Sequence, residues 1–157
     1  MKAVIVMGSK ADFDYAKSIG EKLSEFGLKA EFRVASAHKT PLKVLEIIKE
    51  FEKDDVIFVT IAGRSNALSG FVDANTSKPV IAAPPFSDKN WFDIFSSIRM
   101  PSGVAPMLVL EAENVALAVA KIAAMKDDEV KRRVVEYLNK KKREIEKSDD
   151  EVKGWAP

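Results

Sequence analysis

The sequence predicts an α/β fold, a three-layer doubly wound parallel sheet. Two observations carry that expectation. Short apolar runs alternate along the chain with segments whose apolar residues recur at helical spacing. One run, Val56-Ile57-Phe58-Val59-Thr60-Ile61, is almost entirely apolar and β-branched, the pattern of a strand covered on both faces.

Taken in order, Ala3 to Met7 reads as the first strand. Tyr15, Ile19, Leu23 and Phe26 then mark one face of a helix. Ala30 to Val34 is the second strand. Leu42, Leu45, Ile48 and Phe51 mark the second helix, with Thr40 as its N-cap. Pro41 takes the first helical position, where a missing N–H is harmless. Val56 to Ile61 is the third strand, Pro79 to Ala83 the fourth and Met107 to Leu110 the fifth. An apolar helix, Val115 to Met125, follows. Five strands separated by helices imply right-handed crossovers and the flavodoxin-like strand order 2-1-3-4-5.

Residues 1–125 are expected to form this domain. Residues 126–157 differ in character, with ten Lys or Arg and nine Asp or Glu. Val130, Val134, Tyr137, Leu138 and Ile145 leave only a narrow apolar stripe there. That pattern predicts a charged C-terminal helix with one docking face, set on the same domain or on a neighbouring subunit.

A chain of 157 residues is long enough for one domain with a real core. Its net charge of +1 offers no electrostatic footprint for nucleic acid. No apolar run is long enough to span a bilayer. The N-terminus enters a strand directly, without a signal-peptide pattern, so a cytoplasmic location is expected. The absence of cysteine excludes disulfides, thiolate zinc sites and a cysteine nucleophile.

Ligands in open α/β sheets bind at the carboxyl ends of strands, so the loops that leave those ends matter most. The first reads Gly8-Ser9-Lys10-Ala11-Asp12. Ser9 and the amides that open the next helix can hold a phosphate, and Asp12 can accept from ribose hydroxyls. The same residues also fit a capped strand-to-helix turn. The second loop, Ser36-Ala37-His38-Lys39-Thr40-Pro41, contains the only histidine of the chain. A hydroxyl, an imidazole and a cation beside a helix start can bind an anion and move a proton. The third loop reads Ala62-Gly63-Arg64-Ser65-Asn66-Ala67-Leu68-Ser69-Gly70. Its polar centre suits a planar ligand, while Arg64 and Asn66 also fit as turn and cap residues. Strands 2, 1 and 3 are adjacent in the expected order, which places all three loops on one edge. Two later segments are secondary. Ala83-Pro84-Pro85-Phe86 is a stiff turn with two possible cis bonds. Ser96 to Gly103, with Arg99, either completes a pocket or lines a subunit contact.

Gly8-Ser9 with Asp12, Ser36-Ala37-His38-Lys39, Ala62-Gly63 and Arg99-Met100-Pro101-Ser102-Gly103 together resemble the PurE family of purine biosynthesis. The resemblance runs over roughly residues 3–125. It implies a 5-aminoimidazole ribonucleotide substrate, no cofactor, no metal and a homo-oligomer, an octamer, with sites at subunit contacts. The family has a carboxylase branch, which uses carbon dioxide directly, and an N5-carboxyaminoimidazole ribonucleotide mutase branch. Mutases carry a His-Leu-Pro-Gly segment in the third loop, where this chain has Gly63-Arg64-Ser65-Asn66. Lys39 in place of arginine and Pro84-Pro85 also resemble the carboxylase branch. Ala11 stands where many members have serine, and the sequence after Leu68 departs from the Gly-Pro pattern of the animal enzymes. By this resemblance His38 is the catalytic base. Ser9, Ser36 and Lys39 hold the phosphate, and Asp12 the ribose. Gly63, Arg64, Ser65, Asn66 and Leu68 line the base and carboxylate region, and Gly8, Ala37 and Ala62 complete the substrate contacts.

Overall fold

Strand β1, Lys2–Met7, lies at the middle of the N-terminal half of the sheet because its side chains are almost all apolar. Ala3, Ile5 and Met7 face one layer, Val4 and Val6 the other, the two-residue alternation of a strand. The structure is a computed structural model that describes residues 1–85 and 91–155. After β1 come α1 (Phe13–Glu25), β2 (Lys29–Val34), α2 (Pro41–Glu50), β3 (Val56–Ile61) and α3 (Ala67–Asp73). Then follow β4 (Val80–Ala82), a 3-10 turn over Trp91–Ile94, α4 (Phe95–Ile98), β5 (Met107–Leu108), α5 (Ala112–Ala123) and α6 (Asp128–Val152). The five strands form one sheet in the order β2-β1-β3-β4-β5. Every pairing is parallel.

Two cores result. Helices α1, α5 and the first half of α6 cover one face, where Ile5, Ile19, Leu23, Ile57, Val59 and Val119 are buried together. Helices α2 and α3 cover the other, around Val4, Val6, Val44, Ile47, Phe58 and Val72. Each such side chain contributes roughly 1.5–3 kcal/mol relative to exposure, so the central strands are the rigid reference for everything at their ends.

Register positions the loops. Met7 pairs with Val34 on one side and with Ile61 on the other, so β1, β2 and β3 end level. The ladder extends one step into each loop: Gly8 N–H donates to Ile61 O at 2.8 Å, and Ala35 N–H to Met7 O at 2.9 Å.

Several boundaries differ from the sequence expectation. Strand four shortens to Val80–Ala82, strand five to Met107–Leu108, and the apolar helix runs over Ala112–Ala123. The buried face of α2 is Val44, Ile47, Ile48 and Phe51, while Leu42 is 74% exposed. Thr40 does occupy the N-cap position of α2, but its side chain does not cap the helix. The peptide bonds before Pro84 and Pro85 are trans, and Phe86 lies outside the described residues. Helix α6 docks through Val130, Val134, Tyr137 and Leu138. Tyr137 packs edge-on against Phe26 at 5.3 Å, and Lys141 pairs with Glu113 of α5 at 3.0 Å. Beyond Lys141 the helix is exposed on all sides, Ile145 at 72% included. The docking stripe is therefore shorter than the sequence pattern indicates. No helix among the described residues is long and apolar enough to cross a membrane.

Candidate active site

A cavity of about 600 Å³ opens where the loops after β1, β2 and β3 meet. From the first loop, Gly8, Ser9, Ala11 and Asp12 line it. Ser9 is extended, and its hydroxyl accepts from Ala11 N–H at 3.2 Å, capping the 3-10 turn Lys10–Asp12. Asp12 stands at the N-cap position of α1 but makes no side-chain cap. Its carboxylate faces the third loop instead: a Cβ built on Gly63 would lie 3.9 Å from Asp12 Oδ1. Burial pushes the Asp12 carboxyl above its usual range, and the Ser9 backbone opposes that shift only in part.

The sign of this shift yields a prediction. A carboxyl with a raised value in the fold binds its proton more tightly there than in the unfolded chain. The stability that Asp12 contributes is therefore lost as pH rises from the ordinary carboxylate range through the raised value. Asp12→Asn is expected to lose none there. Its stability relative to wild type grows across that window and is constant above it. Urea titrations between pH 3 and pH 7 check this. A wild type that instead gains on the variant as pH rises would contradict the burial of this group.

The second loop is braced by its own backbone. Ser36 N–H donates to Thr40 Oγ1 at 3.0 Å, Thr40 N–H to Ser36 O at 2.8 Å, and Lys39 N–H to Ser36 Oγ at 3.2 Å. Thr40 thus serves the loop with its hydroxyl, while its carbonyl accepts from Lys43 and Val44 to start α2. On this brace His38 and Lys39 stand exposed, and with Ser36 and Ala37 they line the cavity.

From the third loop, Ala62, Gly63, Arg64, Ser65, Ala67 and Leu68 line the cavity. Ser65 holds φ at 42°, in the left-handed region that a non-glycine residue rarely adopts. Asn66 alone of the candidate residues does not line the cavity. Its Oδ1 accepts from Ser69 N–H at 3.2 Å and its Nδ2 donates to Ser97 Oγ at 2.8 Å. The cap reading of Asn66 is the one the geometry favours over the ligand-facing one.

Ala11, Ala67 and Pro85 are lining residues that the candidate set omits. Pro85 follows β4, and β4 neighbours β3, so strand order was the signal that pointed to it. Arg99 is exposed after α4 and does not line the cavity. Its neighbours Ser96 and Ser97 bond to Asn66 instead.

Among the described residues the lining carries Lys39, Arg64 and the His38 imidazole against a single carboxylate, Asp12. That balance suits a ligand with a phosphate at one end and hydroxyls for one acid to accept from. Among the described residues no three metal-ligating side chains converge.

The family model for AIR carboxylase matches residues 2–144. The chain is 71% identical over 154 residues to an Archaeoglobus fulgidus protein named phosphoribosylaminoimidazole carboxylase, covering 98% of this chain and 86% of that one. It is 40% identical to a Methanocaldococcus jannaschii protein named N5-carboxyaminoimidazole ribonucleotide mutase, over 95% of this chain and 96% of that one. The crystal structure of Treponema denticola PurE superposes with a TM-score of 0.92 at 44% identity, covering 96% of this chain and 98% of that one. The family model, the relatives and the fold agree: the chain belongs to the AIR carboxylase family, the PurE enzymes of purine biosynthesis.

Proposed function

We propose that this enzyme is the carboxylase of its family. It converts 5-aminoimidazole ribonucleotide and carbon dioxide to 4-carboxy-5-aminoimidazole ribonucleotide, without ATP. The observation that carries this reading is the cavity's proton inventory. His38 is its one imidazole, and the third loop supplies Arg64 and Ser65 where mutases carry a second histidine.

The substrate's amino group makes its ring an enamine. The ring carbon beside the amino-bearing carbon attacks carbon dioxide, forming the C–C bond as one C=O π pair moves onto oxygen. That carbon then bears both a hydrogen and the carboxylate. His38 accepts the proton, the C–H pair returns to the ring, and aromaticity is restored. Carbon dioxide is small and apolar, so its subsite works by shape and water exclusion. Leu68, 2% exposed yet lining the cavity, is the apolar wall available for this. An ATP-free assay of the purified enzyme tests the reading: product must form from nucleotide and carbon dioxide, and the product must decarboxylate in reverse.

Ser9, Ser36 and Lys39 hold the phosphate in this reading, with Lys39 acting as a point charge. Losing a hydrogen bond to a charged group costs about 1.5–3 kcal/mol, so Lys39→Ala is expected to weaken nucleotide binding by roughly 10- to 100-fold. The phosphate-free nucleoside should bind wild type and variant alike. Calorimetry with both ligands checks this, and equal loss for both would remove Lys39 from the phosphate.

The mutase reading is kept by the relative that bears that name at 40% identity. We also infer a cytoplasmic homo-oligomer, an octamer. Trp91, Phe92, Phe95 and Ile98, each more than half exposed beside the third loop, support a subunit contact there. Native mass spectrometry reads the assembly directly.

A further inference from the structure

We propose that Asn66 is a positioning residue: it ties the third loop to the Asp93–Ser97 segment and so holds Gly63, Arg64 and Ser65 against the reacting end of the nucleotide. The inference rests on the carboxylase reading above and adds a residue that does not touch the cavity.

Asn66 is 4% exposed, and all its polar groups but the carbonyl are engaged. Its N–H donates to Ser96 Oγ at 2.8 Å, and its Nδ2 donates to Ser97 Oγ at 2.8 Å. Its Oδ1 accepts from Ser69 N–H at 3.2 Å, which starts α3. Ser96 Oγ in turn donates to Asp93 O at 2.6 Å, and Asp93 Oδ1 accepts from Ser65 N–H at 3.3 Å. Two segments about thirty residues apart are thus joined at consecutive positions of the loop.

The loop needs such a tie. Ser65 sits at φ 42°, a conformation that persists only when its surroundings over-determine it. Asn66 and Asp93 hold the two sides of that residue. Without them the loop relaxes, and Arg64 and Ser65 leave the positions at which they line the cavity. The phosphate grip belongs to the first and second loops, which are braced independently. Release of the third loop should therefore impair carboxylation and spare nucleotide binding.

Two variants separate positioning from helix capping. Serine is as good an N-cap as asparagine, so Asn66→Ser keeps the bond to Ser69 N–H and the stability of α3 while removing the tie to Ser97. Ser97→Ala removes the same tie from the other side. Each is expected to lower kcat/KM for carbon dioxide by roughly 10- to 100-fold, the scale of an ångström-level misplacement. The nucleotide Kd should change by less than about threefold, since binding and chemistry separate when an interaction acts only in the transition state. The double variant should be no worse than the worse single one, because both remove one interaction. Wild-type kinetics in Asn66→Ser, additive losses in the double variant, or a matching loss of nucleotide affinity would each overturn the proposal. Wild-type turnover is the separate control for the carboxylase reading. If the wild type uses only the N5-carboxy compound, that reading fails, and the same variants measured on that substrate still decide the role of Asn66.

Discussion

His38→Asn is expected to reduce turnover by roughly 10²–10⁴-fold, the usual worth of a positioned general base, while nucleotide binding stays close to wild type. Asparagine keeps much of the side chain's size and polarity but cannot accept the proton from the carboxylated ring carbon. The position makes the result interpretable. His38 lies on an exposed loop whose brace is formed by Ser36, Lys39 and Thr40 through backbone and hydroxyl groups. An exposed side chain away from buried contacts typically changes stability by no more than about 0.5 kcal/mol, so lost turnover cannot be lost fold. Steady-state kinetics and calorimetry on the same preparation check the prediction. Parallel loss of binding and turnover would assign His38 to the ligand's grip and leave the proton without an acceptor among the cavity's imidazoles.

Phe58→Ala is expected to cost roughly 3–5 kcal/mol of stability, a large share of the roughly 5–15 kcal/mol that a domain has. Phe58 is fully buried at the centre of β3, against α2 and α3. Its strand pairs with β1 on one side and β4 on the other, and carries the third loop at its end. Removing the ring leaves a cavity in the layer that keeps the three strand ends level. Urea unfolding reads the effect as a shift of the midpoint at unchanged slope. A loss below about 1.5 kcal/mol would mean that the α2–α3 layer collapses onto the gap and is less rigid than its burial implies.

The legibility of the chain follows how each element is stabilised. Strands β1 and β3 each carry five apolar residues in six, with Lys2 and Thr60 as the exceptions, and stand out in any window. Strands β4 and β5, with three and two paired residues, are defined by their neighbours more than by their own composition. Pro79 illustrates this: it has no N–H for a ladder, yet its carbonyl accepts from Phe58 N–H at 3.0 Å at the strand's edge. In α2 the apolar residues form two overlapping stripes. Val44, Ile47, Ile48 and Phe51 won the core, and Leu42 was left in solvent. Leucine spacing alone cannot choose between them.

The site was legible to the extent that topology makes it. Once β2, β1 and β3 are adjacent, their loops must converge, and twelve of the thirteen candidate residues line one cavity. Asn66 is the exception for a physical reason. Asparagine after a glycine-containing turn fits a ligand contact and an N-cap equally well. What separates the two is Ser97, more than thirty residues away and brought near only by the fold. Pro85 is different: the expected order already sets β4 beside β3, so the turn after β4 borders the same edge, although a proline pair carries no chemistry that marks a cavity wall.

The measurement that bears most directly on the central claim is a rapid-mixing, ATP-free comparison of two starting materials with the purified enzyme. One reaction receives 5-aminoimidazole ribonucleotide and carbon dioxide, the other the N5-carboxy compound. The carboxylase account predicts product from carbon dioxide at once. From the N5-carboxy compound it predicts product only as fast as that compound decays to free nucleotide and carbon dioxide. Product from the N5-carboxy compound faster than its decay would make the enzyme a mutase and contradict the reading drawn from Arg64 and Ser65.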